Sequence, residues 1–280
     1  MNIQSAINLG YQKLKENNIF SYRLDTEILL SNVMNKKRDY IIFNLNKNLS
    51  ALDLINFKEV IKKRSKGKPI SYIIGKKEFW KYEFEISEGV LIPRPDTELI
   101  IEQVLKISKN KSKLSVLEVG IGSGCILLSI LKEKKDFNGT GIDISKKCID
   151  ISKINSKKLN VKDRIKFFKT DVDNFNHGKY DLIISNPPYI KKLDLKYLDK
   201  DIINFEPKIA LDGGLEGTSE IRKVINKSSE LIKIGGKLIL EIAFDQKKEV
   251  LKLLKNKRFY INNVLKDFAN NDRCIISTKI

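Results

Sequence analysis

Histidine is all but missing from this chain: His177, in the polar run Asn176-His177-Gly178-Lys179, is the only one in 280 residues. Histidine-based zinc sites and Ser-His-Asp relays have almost nothing to build on, so neither is expected, and His177 reads as a loop residue. Cysteine is scarce too, and Cys125, Cys148 and Cys274 stand far apart in no paired metal spacing. A chain of this length needs no disulfide staples, so three buried free thiols and no metal are expected. No stretch approaches the roughly 20 apolar residues of a membrane span. Residues 1–16 carry no apolar signal-peptide core, so a cytoplasmic protein without a membrane partner is expected. Acidic residues are outnumbered, 35 against 53 basic ones, for a net charge of +18. That excess invites a nucleic-acid reading. The lysines, however, are spread along the whole chain, with runs that stand out only at 62–68 and 109–113. We read solvated surface in them, with a basic face available to an RNA-associated or acidic protein partner.

What is present describes a globular protein. Hydrophobic residues make up 41% and charged residues 31%, enough to bury one large core and a small one. Apolar residues recur at helical spacing in Ile3, Ile7, Tyr11 and Leu14, then Ile28, Leu29 and Val33, then Leu52, Ile55 and Ile61. Residues 1 to about 75 therefore read as a small helical bundle, punctuated by Gly67 and Pro69. Trp80, Tyr82, Phe84 and Ile86 alternate with polar residues, a strand signature that predicts a hairpin with 71–75. Two prolines stiffen the link Ile92-Pro93-Arg94-Pro95, after which Asp96 or Thr97 can cap a helix with the face Leu99, Ile100, Val104 and Leu105. From Ser115 onward strand and helix patterns alternate. Seven strands are expected, at 115–120, 138–144, 165–171, 179–185, 237–244, 260–267 and 273–280, with an Ile-Gly-Gly turn before the fifth. The fold class is therefore α/β, a doubly wound, seven-stranded, mostly parallel sheet behind a helical bundle and a β-hairpin linker. The expected division is 1–70, 71–95 and 96–280.

The first strand of that sheet runs into Gly120-Ile121-Gly122-Ser123-Gly124, where glycines let the backbone turn tightly beside a helix N-terminus. Dinucleotide sites use G-x-G-x-x-G or A; here that last position is Cys125 and glycine comes one residue early. The G-x-G-x-G pattern instead resembles the first motif of the S-adenosylmethionine-dependent methyltransferases. Asp143 closes the second strand, where a carboxylate can accept from both ribose hydroxyls of an adenosyl group. Asp171 closes the third, placed for an adenine amino group, with Val172 beside it to touch the ring. Taken singly, either aspartate could be a cap or turn residue. Together they favour a cofactor.

The fourth strand ends in Asn186-Pro187-Pro188-Tyr189. Two prolines remove two backbone donors and hold the preceding residues extended, so the turn is stiff and rich in acceptors. Such a turn suits a group with hydrogens to donate. A planar NH2 is a poor nucleophile, and an enzyme that methylates it must hold both hydrogens; the Asn186 side-chain oxygen and the Pro187 carbonyl can accept them. Tyr189 can lie against the flat face of the substrate.

This tetrapeptide after a G-x-G-x-G turn resembles the amino methyltransferases, which modify adenine N6, cytosine N4 or glutamine N5. Further stretches narrow the likeness: Tyr-Ile-Ile-Gly-Lys-Lys-Glu-Phe-Trp at 72–80, Ile-Pro-Arg-Pro-Asp-Thr-Glu at 92–98, the run Phe-Glu-Pro-Lys-Ile-Ala-Leu-Asp-Gly-Gly-Leu-Glu-Gly at 205–217 and Asn-Asp-Arg at 271–273. Together they resemble the release-factor glutamine methyltransferases, the PrmC/HemK family, from about Tyr72 to the C-terminus. The resemblance implies methyl transfer from S-adenosylmethionine, leaving S-adenosylhomocysteine, to the glutamine of the Gly-Gly-Gln loop in class I peptide release factors. It implies that Gly120, Ile121, Gly122, Ser123, Gly124, Asp143, Asp171, Val172 and Asn186 hold the cofactor. Asn186, Pro187 and Tyr189 would be catalytic; Asn186, Pro187, Pro188, Tyr189 and Arg94 would hold the glutamine, with Pro93 at the pocket mouth. It also implies that residues 1–70 grip the release factor, and a monomer needing no nucleic acid is expected. Val172 departs from relatives that carry a larger apolar or aromatic residue there. Two alternatives stay open on the residues alone: an adenine N6 methyltransferase acting on RNA or DNA, and a non-catalytic protein that keeps the cofactor fold.

Overall fold

The computed structural model describes all 280 residues. In chain order the elements are α1 Ile3–Glu16, α2 Tyr22–Val33, α3 Arg38–Phe43, α4 Ala51–Ser65, α5 Ile70–Ile74, β1 Lys76–Phe79, β2 Tyr82–Glu85, α6 Glu98–Ile107, β3 Ser115–Val119 and α7 Cys125–Glu133. There follow β4 Asn138–Asp143, α8 Lys146–Lys158, β5 Ile165–Lys169, β6 Tyr180–Ser185, α9 Lys200–Phe205, α10 Ser219–Leu231, β7 Ile232–Glu241, α11 Lys247–Asn256, β8 Phe259–Lys266 and β9 Asp272–Lys279. They form two compact units, Met1–Lys76 with Asp199–Phe205, and Lys77–Leu198 with Glu206–Ile280. Compared with the expected division, the hairpin goes with the larger unit and α9 with the helical one.

In the helical unit, the Asn2 side chain accepts the Ser5 N–H to start α1 and Ser50 accepts the Asp53 N–H to start α4. Ile3, Ile7 and Leu14 pack with Leu29, Leu30, Ile41, Phe57 and Ile61, each such burial contributing about 1.5–3 kcal/mol. The expected face of α4 is corrected: Leu52 and Ile55 are exposed. Phe57, Ile61 and Arg64 share one helical stripe, and the large phenyl ring takes the core. Arg64 is buried with them. Its Nε donates to Asp25 Oδ2 at 2.7 Å and its Nη1 to Asp201 Oδ2 at 2.8 Å, and it also caps the Gly67 and Lys68 carbonyls. Asp25 is only 5% exposed. Arg64→Ala, which strands that carboxylate, is expected to destabilise the protein by about 3 kcal/mol, measured as a lowered urea midpoint. Asp201→Asn should cost less than about 1 kcal/mol, because the Asp201 carboxylate is 38% exposed.

The hairpin differs from the expected one. Residues 70–74 are α5, closed by Gly75 at φ 76°, and the run with Trp80 bends back on itself. Trp80 takes the turn at φ 58°, its N–H donating to Glu98 Oε1 at 2.7 Å and its indole to Glu133 Oε1 at 3.0 Å. Of the alternating residues, Tyr82 and Phe84 lie in β2, while β1 is the preceding Lys76–Phe79. Neither Asp96 nor Thr97 caps α6 through its side chain; a 3-10 turn, Pro95–Thr97, leads into the helix, and the Thr97 hydroxyl is used elsewhere.

The main sheet has seven strands in the order β5-β4-β3-β6-β7-β9-β8. All neighbours are parallel except the pairs made by β9 with β7 and β8. Helices cover both faces, so the central strands are near-continuous apolar runs, with Val116, Leu117, Ile183, Ile184, Leu238 and Ile239 fully buried. One boundary is corrected: the Ile-Gly-Gly segment at 234–236 lies inside β7, where the register against β6 shifts. The chain builds β3, β4 and β5 outward to one side, then returns to lay β6 against the other edge of β3. This reversal opens a crevice at the carboxyl ends of β3 and β6, where open α/β sheets take ligands.

Candidate active site

That crevice holds a cavity of about 530 Å³, the size of a cofactor-scale ligand site. Its floor is the turn after β3. The Gly120 and Ile121 N–H groups both donate to the Ile142 carbonyl at 2.9 Å, folding the turn over the end of β4. Gly120 and Gly122 have φ of 74° and 56°, and a Cβ on either would meet nothing within 4 Å. The turn therefore offers bare backbone to the cavity. The other three turn residues do not line it. Ile121 packs down onto Gly141, Ser123 is buried with its carbonyl taken by Asn155 Nδ2 at 2.9 Å, and Gly124 opens α7.

Asp143 lines the cavity from the end of β4. Its Oδ2 accepts the Gly122 N–H at 2.9 Å and its Oδ1 the Ser145 N–H at 2.8 Å. Burial pushes its carboxyl above the usual range even against those two bonds, and each oxygen keeps a further acceptor site. Asp171 and Val172 also line the cavity. Asp171 Oδ1 accepts the Asp173 N–H at 2.9 Å and so doubles as the cap of the turn Val172–Asn174. Val172 is buried among Phe168, Phe175 and Val224.

Asn186, Pro187 and Pro188 form the opposite wall. The ladder from β6 to its neighbours ends at Ser185, and the carbonyls from 186 to 188 make no backbone hydrogen bond. Asn186 Nδ2 donates to Thr97 Oγ1 at 3.1 Å, and its amide oxygen accepts no hydrogen bond in the protein. The turn is braced from behind. Gln246 Nε2 donates to the Tyr189 and Gly217 carbonyls at 2.8 and 3.0 Å, and Ile190 bridges Asp212. A Cβ at Gly213 would sit 2.8 Å from the Tyr189 Cα, which is why the 205–217 run needs glycine there.

Two expected contacts lie elsewhere. Tyr189 does not line the cavity; its ring packs on the core of the sheet and its hydroxyl donates to Glu241 Oε1 at 3.2 Å. Burial and the neighbouring Glu241 charge hold that phenol well above its ordinary pKa. Arg94 is likewise off the cavity wall, paired through Nη2 with Glu206 Oε1 at 2.5 Å, while Glu206 Oε2 accepts the Ile92 N–H. It ties the proline link to the segment Pro207–Ala210 that does line the cavity. Tyr189→Phe is accordingly expected to change methyl transfer less than about threefold. Tyr189→Ala should cost about 3–5 kcal/mol of stability through the space it leaves, read as a lowered Tm. An equal loss in both variants would show that the hydroxyl matters more than the ring.

Sequence reasoning missed Thr97, Glu206, Glu241 and Gln246. One signal was available for Glu241: it is a lone carboxylate in the apolar run Leu238-Ile239-Leu240-Glu241-Ile242, and a buried strand tolerates such a group only with partners. Glu118 in β3 is the same kind of residue; it is buried, accepts the Leu127 N–H at 3.0 Å, and has its carboxyl raised by burial. The thiols are buried and free, as expected. No helix is long and apolar enough to cross a membrane.

Known proteins match along the whole chain. The PrmC N-terminal domain family matches residues 5–75 and the methyltransferase small domain family matches residues 95–263. The release factor glutamine methyltransferase of Clostridium acetobutylicum is 38% identical over 282 residues, covering 100% of this chain and 99% of its own. That of Buchnera aphidicola is 36% identical over 279 residues, again covering 100% and 99%. Among solved structures, the ribosomal protein L11 methylase from Lactobacillus delbrueckii aligns with a TM-score of 0.52 at 19% identity, over 70% of this chain and 84% of that one, a likeness of fold. The sheet order and the helical N-terminal region are those of a Rossmann-like, class I methyltransferase. Matches of this length and identity show the family: the chain belongs to the release factor glutamine methyltransferase family.

Proposed function

We propose that this methyltransferase moves a methyl group from S-adenosylmethionine to the side-chain amide nitrogen, N5, of the glutamine in the Gly-Gly-Gln loop of class I peptide chain release factors. The observation that carries the reading is the Asn186 amide on the cavity wall: its NH2 is anchored on Thr97 and its oxygen accepts no hydrogen bond in the protein, beside a Pro187 carbonyl left out of the ladder. Two acceptors side by side match the two hydrogens of an amide NH2.

The residues fit the cofactor. Gly120 and Gly122 leave open the space that side chains would fill, the Asp143 carboxylate suits ribose hydroxyls, and Asp171 with Val172 suits an adenine edge and face. When bound, S-adenosylmethionine supplies an electrophilic methyl carbon on a sulfonium. The work of the chain is then to hold the amide nitrogen in line with that carbon. Asn186 Oδ1 and the Pro187 carbonyl would take the two N–H groups, and Pro187 and Pro188 have no N–H of their own to compete for them. As the nitrogen gains positive charge its hydrogens become stronger donors, so the same oxygens bind the transition state more tightly than the substrate. Forming the N–C bond needs no base, since the donor would leave as the neutral thioether S-adenosylhomocysteine and the nitrogen would give up its surplus proton to solvent afterwards; most of the gain comes from alignment. Residues 5–75, the PrmC N-terminal domain match, support a role for the helical unit in gripping the release factor.

The test is mass spectrometry of a class I release factor incubated with the protein and S-adenosylmethionine, beside a parallel incubation with total RNA. Added methyl mass on the glutamine of the loop peptide is expected. Methyl groups found only in RNA would overturn the reading.

A further inference from the structure

We propose that Ser152 and Asn155 of α8 are positioning residues for the cofactor: they hold the glycine turn in the shape it offers to the cavity, and the β-hairpin fixes which way the Asn155 amide points. The inference deepens the cofactor reading above, and neither residue lines the cavity.

The glycines that keep the turn bare also leave it free to rotate. Gly122 and Gly124, at φ of 56° and 81°, have no Cβ to confine their torsions, so the peptides on either side of Ser123 need fixing from outside. The helix α8 supplies that hold from behind. Ser152 and Asn155 stand three residues apart on its inner face and are fully buried, where polar groups are expected to have partners. Ser152 Oγ donates to the Gly122 carbonyl at 2.9 Å, and Asn155 Nδ2 donates to the Ser123 carbonyl at 2.9 Å. Two successive carbonyls are drawn toward the helix. The Gly122 N–H is held by Asp143, so the turn is gripped through donors and acceptors alike.

An amide can sit either way round, and in Asn155 a second contact decides it. Its Oδ1 accepts the Glu85 N–H at 2.7 Å, while Nδ2 also donates to the Glu85 carbonyl at 3.0 Å. Turned over, it would set its NH2 against the Glu85 N–H and its oxygen against two carbonyls. Glu85, at the end of β2, therefore orients the amide that holds the turn. Lys158, further along α8, pairs with Glu83 at 2.7 Å and Glu85 at 2.8 Å and keeps the strand there. Just past Glu85 the same stretch of chain lines the cavity at Gly89 and Leu91. One buried side chain thus joins the cofactor turn to the segment that forms another wall.

The experiment uses the wild type, S152A, N155A, N155D and F137L. It measures S-adenosylhomocysteine affinity by calorimetry, kcat and the KM for S-adenosylmethionine in release-factor methylation, and NMR amide exchange of Gly122 and Gly124 without ligand. Binding is expected to weaken about threefold to tenfold in S152A and at least about tenfold in N155A, the scale of a buried hydrogen bond for each carbonyl released. The KM should rise in step while kcat at saturating cofactor stays within about threefold. Exchange at both glycines should quicken about tenfold as the turn opens more often. N155D keeps the acceptor for Glu85 but sets a carboxylate against two carbonyls, so it should bind no better than N155A. Phe137 is fully buried at the amino end of β4, the far edge of the sheet from the cavity. F137L should lower Tm yet leave affinity and glycine exchange within about twofold. If N155A does not fold, S152A, which loses a single contact, decides. Wild-type affinity and wild-type exchange in S152A would overturn the proposal, and so would binding restored by N155D or weakened as much by F137L. A wild type that binds no S-adenosylhomocysteine fails the cofactor reading instead, and the exchange series, run without ligand, still tests the hold on the turn.

Discussion

Asn186→Ala is expected to lower the turnover of release-factor methylation by at least about a hundredfold, the scale of removing one oriented polar partner from a transition state. The loss should fall on kcat more than on KM, because the oxygen holds the nitrogen most tightly once charge has developed there. Asn186 is partly buried at the end of β6, and its side chain makes one hydrogen bond in the protein, to Thr97. Removing it leaves the fold with one unmade bond and the cavity with one acceptor fewer. Cofactor affinity, measured by calorimetry, should change little by comparison. Turnover near that of the wild type would contradict the acceptor role outright.

Asp143→Ala should act on a different quantity. It removes the acceptor that faces the cavity and also the anchor of the Gly122 and Ser145 N–H groups. The dissociation constant for S-adenosylmethionine is expected to rise at least about a hundredfold, about 3 kcal/mol, as for the loss of charge-assisted hydrogen bonds. With saturating cofactor, kcat should recover much of its value. Asp143→Asn is expected to be nearly as harmful, because each carboxylate oxygen already accepts a backbone N–H and an amide would set its own NH2 against one of them. An unchanged dissociation constant in both variants would refute the assignment of Asp143 to the cofactor. That contrast, one position moving kcat and the other cofactor affinity, is what the proposed division of the cavity into a substrate wall and a cofactor wall predicts.

The parts of this protein legible in the sequence are those governed by local rules. Strand runs buried on both faces, such as Leu182-Ile183-Ile184, announce a parallel sheet covered by helices, and the seven strands were read close to their observed places. Gly120 and Gly122 sit at positive φ with open space before them, and a turn that must present bare backbone leaves glycine as its mark. Asn186-Pro187-Pro188 is likewise visible as the stiff end of a buried strand, with two backbone donors missing.

The rest depends on residues brought together over long stretches of chain. Trp80 alternates like a strand residue, yet it is the turn of its hairpin, because bonds to Glu98 and Glu133 hold it at φ 58°. Tyr189 was expected on the substrate and lies on the core, since Glu241, 52 positions on, gives its hydroxyl a buried partner. Arg94 was expected at the cavity and is spent on Glu206, 112 positions on. Thr97 looked like a helix cap and serves Asn186, 89 positions away. Each of these differences has the same form. Neighbours in sequence suggest one role for the side chain, and a partner distant in sequence sets where it goes.

The account stands or falls on two oxygens facing one NH2. A crystal structure with S-adenosylhomocysteine and a Gly-Gly-Gln peptide bound measures this directly. The glutamine amide nitrogen should lie about 2.7–3.2 Å from both Asn186 Oδ1 and the Pro187 carbonyl oxygen. A glutamine nitrogen out of reach of both, with the peptide otherwise seated in the cavity, would contradict it.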